Sequence, residues 1–291
     1  MKEAILYLKL DDNKVNCAVC NQRCIIAEGK KGICGVRENH QGSLYTLNYG
    51  KTIAANIDPI EKKPLYHFLP KTKIYSFAAE GCNFRCPWCQ NWEISQRSKP
   101  NKPVEGIEIS PEEHVKRTLA YSCLSIAYTY SEPTIYVEYA LDTMKLAREE
   151  GLKNVWVSNG YMSRETLDTI VPYLDAANID FKGPNDGIYE EYCGGKAEPI
   201  MENLKYLCKA EVHVEITTLV IPGINDKPEQ LDKIAQFIAW ELGPEVPWHV
   251  SRFFPAWKMN NTPVTPVEIL TTARSMGQKA GLKYIHLGNV Q

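Results

Sequence analysis

Apolar positions along the chain fall into two alternating periods. Runs rich in β-branched and aromatic residues at 74–79, 125–130, 154–158, 176–181, 212–221 and 248–254 predict six strands, and a weaker run at 282–287 predicts a seventh. Helical stretches separate them. Ser110-Pro111-Glu112-Glu113 carries an N-cap serine, a proline at the first helical position and a glutamate in the capping-box place. Thr265-Pro266-Val267-Glu268 repeats that chemistry, and Gly151, Gly243 and Gly281 follow helical stretches where a left-handed residue is wanted. This alternation predicts an α/β fold of parallel strands with right-handed crossovers. Six strand–helix units favour a partial (β/α)6 TIM-like barrel over a doubly wound sheet. In either, a site forms beyond the C-terminal ends of the strands.

Residues 1–72 break this rhythm. They hold two strand-like runs, 44–49 and 52–57, and a proline-containing connection, 58–70. They read as a small N-terminal subdomain packed on a main body of residues 73–291. No apolar stretch approaches the roughly 20 residues of a membrane span, and residues 1–10 lack a signal peptide's apolar core. A soluble, cytoplasmic protein is expected. The 291 residues carry a formal net charge of −2 with no run of Lys or Arg, which argues against nucleic acid and membrane surfaces as partners.

Composition adds one unusual fact, ten cysteines. In a reducing compartment these read as metal ligands rather than disulfides. Seven lie in two tight groups: Cys17, Cys20, Cys24 and Cys34, then Cys82, Cys86 and Cys89. The second group directly follows the first strand of the alternating region, so it sits at the expected site. Three thiolates ligate three irons of a cubane [4Fe–4S] cluster and leave the fourth open. Structural zinc usually wants four ligands, and no fourth Cys or His is near in sequence.

The run Gly81-Cys82-Asn83-Phe84-Arg85-Cys86-Pro87-Trp88-Cys89, continued through Asn91 and Trp92, resembles radical S-adenosylmethionine (SAM) enzymes of the pyruvate formate-lyase activating type. Residues 17–24, Gly32-Ile33-Cys34-Gly35-Val36-Arg37, 58–70 and 248–255 are similar to one subgroup, the radical SAM component of the AmmeMemoRadiSam system. The resemblance implies an oxygen-sensitive enzyme that reductively cleaves SAM to a 5′-deoxyadenosyl radical, which abstracts hydrogen from a substrate the sequence does not name. It implies an electron donor of flavodoxin or ferredoxin type. The subgroup implies Memo-like and AMMECR-like partners; the wider family implies a glycyl-radical enzyme instead. A non-catalytic iron–sulfur electron-transfer module is the alternative of another class. Relatives also imply a Cys-containing tail beyond Gln291.

Four strand ends then match the family's SAM segments. Ser131 and Glu132, in Tyr130-Ser131-Glu132-Pro133, stand where the SAM amino group is bound, with Glu132 kept and the family's glycines replaced. Ser158 and Asn159 fall at a ribose segment, Asp180 and Lys182 near ribose and carboxylate, and Leu219 where backbone meets adenine. Thr217 replaces an expected Arg, which leaves the carboxylate clamp in doubt. Taken singly, Glu-Pro and Asn-Gly are ordinary turn signals; their order along four strands gives them weight.

Cys17-x2-Cys20-x3-Cys24-x9-Cys34 supplies four soft ligands, suited to zinc or to a fully ligated auxiliary Fe–S cluster. His67, His249 and Arg252 read first as structural residues, with acid or substrate-binding roles as the alternative. Cys193 reads as an inert thiol, and Cys123 and Cys208 as helical core positions. The aromatic run 121–139 reads as core.

Overall fold

A computed structural model of the chain describes residues 1–97 and 102–290. Its main sheet has eight strands: β1 (Ala54–Pro59), β2 (Lys73–Ala78), β3 (Ser125–Tyr128), β4 (Lys153–Ser158), β5 (Ala176–Asp180), β6 (His213–Val220), β7 (Trp248–Arg252) and β8 (Ile285–Gly288). From β2 to β8 every neighbouring pair is parallel and consecutive. Helices α1 (Pro111–Ala120), α2 (Val137–Glu149), α3 (Arg164–Ile170), α4 (Glu198–Lys209), α5 (Pro228–Gln236) and α6 (Val267–Ala280) make the six crossovers. The weak seventh strand is therefore real, and it ends the sheet as β8. β1 pairs antiparallel with β2, Ala54 opposite Ala78 and Pro59 opposite Lys73, so the other edge comes from the N-terminal segment.

Alternation divides each strand between two faces. Phe77, Tyr128 and Trp156 point to the helices and join the main core with Tyr136 and Tyr139, all fully buried. Ile74, Ala127, Val155 and Ala176 line the concave face and form a second core with Ile60 and Leu65. Those two belong to the 58–70 connection, which plugs the end of the barrel where the strands begin. The plug is hydrogen-bonded in place: Glu215 accepts the backbone N–H groups of Tyr66 and His67 at 3.0 and 2.8 Å, and Asn178 donates to the Pro64 carbonyl at 2.8 Å. The plug thus occupies one end of the concave face, and the strand ends lie at the other.

Ser110 caps α1, accepting from Glu113 N at 3.3 Å, and Pro111 opens the helix. Thr265 does not cap α6, which begins at Val267 without a side-chain cap. Its hydroxyl instead donates to the Val220 carbonyl at 2.6 Å and accepts from Phe253 N at 3.0 Å, tying β6 to the end of β7. Gly281 takes the left-handed cap, whereas Gly243 (φ 119°, ψ 152°) leaves its helix extended. Cys208 lies in α4 as expected; Cys123 lies past the end of α1, buried in the turn before β3.

The cysteine-rich segment forms two small antiparallel sheets. Tyr7–Lys9, Val15–Cys17 and Ile25–Ile26 make one; Lys2–Glu3, Arg37–His40 and Ser43–Thr46 make the other. A β-bridge from Cys20 to Met162 and hydrogen bonds from Ser163 to the Ala18 and Val19 carbonyls (2.6 and 3.1 Å) fasten it to the loop after β4. Among the described residues, no helix is long and apolar enough to cross a membrane.

Candidate active site

The loop after β2 leaves the sheet through Gly81, whose φ of +108° favours glycine. A Cβ there would come within 2.9 Å of Val36 and 3.1 Å of the Cys34 carbonyl. The loop thus starts wedged against the N-terminal cysteine region. Backbone bonds then fix its course: Phe84 N donates to the Cys82 Sγ at 3.3 Å, Arg85 N to the Cys193 carbonyl at 2.9 Å, and Cys89 N to the Cys86 carbonyl at 3.2 Å. Lys258 N, in the segment after β7, donates to the Pro87 carbonyl at 3.1 Å.

The three loop thiols meet different surroundings. Burial pushes the Cys82 thiol up, and the nearby Glu132 carboxylate adds to the effect. Burial also raises Cys89, opposed by the Ser95 hydroxyl at 3.2 Å. Cys86 is held low, first by a hydrogen bond with Cys193 and then, against burial, by the Lys182 ammonium. Cys193, read from sequence as an inert thiol, is fully buried against a candidate ligand. Only folding reveals that proximity, because the segment at 193 is more than 100 residues away in the chain.

Glu132 follows β3, is 2% exposed, and joins two strand ends. Its Oε1 accepts from Thr134 N (3.0 Å), the Thr134 hydroxyl (2.5 Å) and the Ser158 hydroxyl (2.8 Å), while Oε2 accepts from Asn159 N (2.9 Å). A carboxylate offers about four acceptor positions, two per oxygen, so Oε2 retains one. Asn159 donates to Asn83 Oδ1 at 2.7 Å, linking this hub to the cysteine loop. Ser131 instead donates to the Ala79 carbonyl at 2.5 Å, at the base of that loop.

Two strands further on, Lys182 is buried and pairs with Asp180 at 2.7 Å. The second carboxylate oxygen of Asp180, Oδ1, is buried with no partner among the described residues. Both groups act electrostatically on Cys86. The β6 end is tied locally: Asn225 donates to the Leu219 carbonyl at 3.0 Å, and Thr217 donates to Asn178 at 2.9 Å. The structure thus gathers Cys82, Glu132, Ser158 and Asn159 on one side of the mouth and Cys86, Asp180 and Lys182 on the other. Leu219 is held by Asn225 rather than by either set.

His67 and His249 lie at the plugged end, away from the thiols. His249 bonds Glu215 at 2.6 Å, and His67 meets His286 at 2.9 Å. Burial pushes the Glu215 carboxyl up, but hydrogen bonds from His213, His249 and two backbone N–H groups outweigh it and hold the group well below the carboxylate range. Arg252 donates Nε to the Thr265 carbonyl at 2.7 Å, fixing the chain after β7.

As it stands, no group of three or more Cys, His, Asp or Glu side chains among the described residues is arranged to hold a metal ion, at the cysteine loop included. The donor set nonetheless fits the expected groups. Three thiols on one loop leave one iron of a cubane open. The orphaned Asp180 oxygen and the remaining acceptor position of Glu132 match the hydroxyl and ammonium donors of SAM.

The Radical SAM superfamily profile matches residues 77–238. An uncharacterized protein of Methanocaldococcus jannaschii is 47% identical over 290 residues, 100% of this chain and 86% of that one. The pyruvate formate-lyase 1-activating enzyme of Escherichia coli is 24% identical over 169 residues, 54% of this chain and 65% of that enzyme. A radical SAM methyltransferase from Sphaerobacter thermophilus shares the fold, with a TM-score of 0.58 at 14% identity over 77% of this chain and 68% of its own. The matched span runs from the strand that launches the cysteine loop through the Glu132, Ser158 and Asp180 strand ends, and the chain belongs to the radical SAM superfamily, whose members use a [4Fe–4S] cluster and SAM.

Proposed function

We propose that Cys82, Cys86 and Cys89 hold the cluster, that Glu132, Ser158, Asn159, Asp180 and Lys182 seat SAM, and that the enzyme abstracts hydrogen from a small molecule or protein side chain over repeated turnovers. One observation carries this reading: the cysteine loop follows β2, and the carboxylates at the ends of β3 and β5 lie close enough to act on it, Glu132 on Cys82 and Asp180 on Cys86. When bound, the cluster and SAM supply a one-electron cleavage that yields a 5′-deoxyadenosyl radical. The protein's part is positional. Glu132, fixed by four donors, presents Oε2 to an ammonium without reorganising. Lys182, held by Asp180, supplies a fixed positive charge beside Cys86 that offsets thiolate charge out of water. Plug and core keep water from the concave face below.

The choice of partners rests on the subgroup resemblance. The activase match covers 54% of the chain, whereas the N-terminal cysteine motif and the 58–70 segment are stretches that resemble the AmmeMemoRadiSam subgroup. Memo-like and AMMECR-like proteins are therefore the proposed partners, ahead of a glycyl-radical enzyme. Electrons would arrive from a flavodoxin- or ferredoxin-type donor. A cleft of about 1060 Å³ beside the cysteine loop, lined by Lys30, Lys31, Arg85, Lys102 and Lys258 and, among the described residues, by no carboxylate, supports an acidic one.

The test supplies perdeuterated Memo-like and AMMECR-like proteins with SAM and reductant. Deuterium entering 5′-deoxyadenosine over several turnovers supports the proposal. A stable glycyl-radical EPR doublet formed once on a partner enzyme would replace it with the activase reading.

A further inference from the structure

The four N-terminal cysteines reach one place from four local settings. Cys17 ends a strand, Cys20 lies in the turn bridged to Met162, Cys24 precedes the strand Ile25–Ile26, and Cys34 sits in the turn before Arg37–His40. Cys17 N donates to the Cys24 carbonyl at 2.9 Å, closing the hairpin around them. All four line a single small cavity.

Two further lining residues carry an unspent donor. Arg37 and Asn83 are each 1% exposed. Arg37 spends its terminal nitrogens on Glu138 (2.9 and 2.6 Å) and the Ile135 carbonyl (3.1 Å), but its Nε–H has no partner among the described residues. Asn83 accepts from Asn159 through Oδ1, yet its Nδ2 group is also without one. Native interiors rarely leave buried donors unspent, because each has given up its bond to water without replacement. Both orphans are N–H donors, and what this cavity lacks is a negative acceptor. Metal-bound thiolates supply it.

From this we infer that Cys17, Cys20, Cys24 and Cys34 bind one divalent metal ion as a tetrathiolate, with zinc the fitting ion, and that Arg37 Nε–H and Asn83 Nδ2–H donate to its sulfurs. Cavity size favours the smaller of the two candidates left open by the sequence. Its free volume is about 10 Å³, on the order of what a single water needs. As they stand no three of these thiols are arranged to hold a metal, so one ion requires them to turn toward the cavity they share. A cubane brings eight heavy atoms and would require the hairpins to part. Binding exchanges protons for metal: four thiols and one M²⁺ give the tetrathiolate and release four protons.

The site also braces the radical SAM loop. Asn83 belongs to both, being next to Cys82 in sequence. Gln22, between Cys20 and Cys24, donates to the Asn83 carbonyl at 3.0 Å and the Gly194 carbonyl at 2.5 Å. The ion thus fixes the turn that holds the cluster loop from behind, while taking no part in SAM binding.

Metal analysis of the full chain, purified without added iron, tests this directly. About one zinc per chain is expected, with four sulfur neighbours near 2.3 Å by X-ray absorption. The zinc should persist in the Cys82→Ala/Cys86→Ala/Cys89→Ala variant, which separates this result from any failure of the radical SAM assignment. Cys24→Ser should lose it. Should that variant not fold, cobalt(II) added to metal-stripped wild type should give the absorption of tetrahedral thiolate cobalt. Iron and sulfide at these cysteines, or no metal at all, would overturn the inference. Amide exchange at residues 82–86 should quicken when the zinc is chelated; unchanged exchange would remove the bracing role.

Discussion

Replacing Glu132 separates its structural duty from its proposed duty toward SAM. Glu132→Ala leaves four donors without an acceptor. The two hydroxyls can rotate elsewhere, but Thr134 N–H and Asn159 N–H are fixed by backbone. Each unsatisfied buried N–H costs about 1–3 kcal/mol, so the alanine variant should lose about 2–6 kcal/mol, a large share of a typical 5–15. Its inactivity would therefore teach little. Glu132→Gln is the sharper tool. Its amide oxygen can replace Oε1 and satisfy three donors, leaving only Asn159 N–H facing an amide nitrogen, a loss of about 1–3 kcal/mol. It also removes the charge that would meet the SAM ammonium. A charge-assisted hydrogen bond is worth about 1.5–3 kcal/mol, which predicts SAM binding about 10- to 150-fold weaker. Denaturant unfolding reads the first effect; SAM titration of cluster-loaded protein by EPR reads the second. A glutamine variant that folds and binds SAM as tightly as wild type would refute the ammonium assignment and leave Glu132 a strand tie alone.

Other expectations follow from packing and charge. A Cβ at Gly195 would lie 2.6 Å from Phe84 Cε1 and 3.2 Å from Tyr161, so Gly195→Ala should push the cysteine loop outward and lower iron content after reconstitution; full iron content would contradict that packing role. His114 is fully buried between the hydroxyls of Thr52, Tyr75 and Tyr139, and burial, with Arg117 nearby, pushes it down to about 3. Its folded pKa lies below its ordinary 6.5, so the stability it contributes is whole above that pH and is lost as pH falls from about 6.5 toward 3. The slope is up to about 1.4 kcal/mol per unit, and His114→Gln should flatten it in urea unfolding measured across that range. His286, pushed down to about 4 by burial and then by His249 and His67, adds to the same acid loss.

The strand–helix rhythm was legible because each element had local signals: β-branched runs, the Ser110 cap and the glycine stops. What escaped the sequence depended on distance along the chain. Thr265 carries capping chemistry, yet its hydroxyl oxygen accepts from Phe253 N while donating to the Val220 carbonyl. The 52–57 run looked like part of the N-terminal region, but its pairing partner is β2 in the main sheet. The plug could not be seen because Ile60 and Leu65 meet Ile74, Ala127, Val155 and Ala176 only after the sheet curls. At the site, the cysteine spacing and Glu132 were readable as motifs. The contact of Cys193 with Cys86 and the bridging place of Asn83 were not, since neither residue type signals its partner.

The central claim is that Cys82, Cys86 and Cys89 alone hold the cluster that meets SAM. Iron and sulfide analysis, with EPR before and after SAM, should be compared between anaerobically reconstituted wild type and the Cys82→Ala/Cys86→Ala/Cys89→Ala variant. Wild type should hold a [4Fe–4S] cluster whose EPR spectrum changes on adding SAM, and the variant should hold none. A SAM-responsive cluster surviving in the variant would contradict the account.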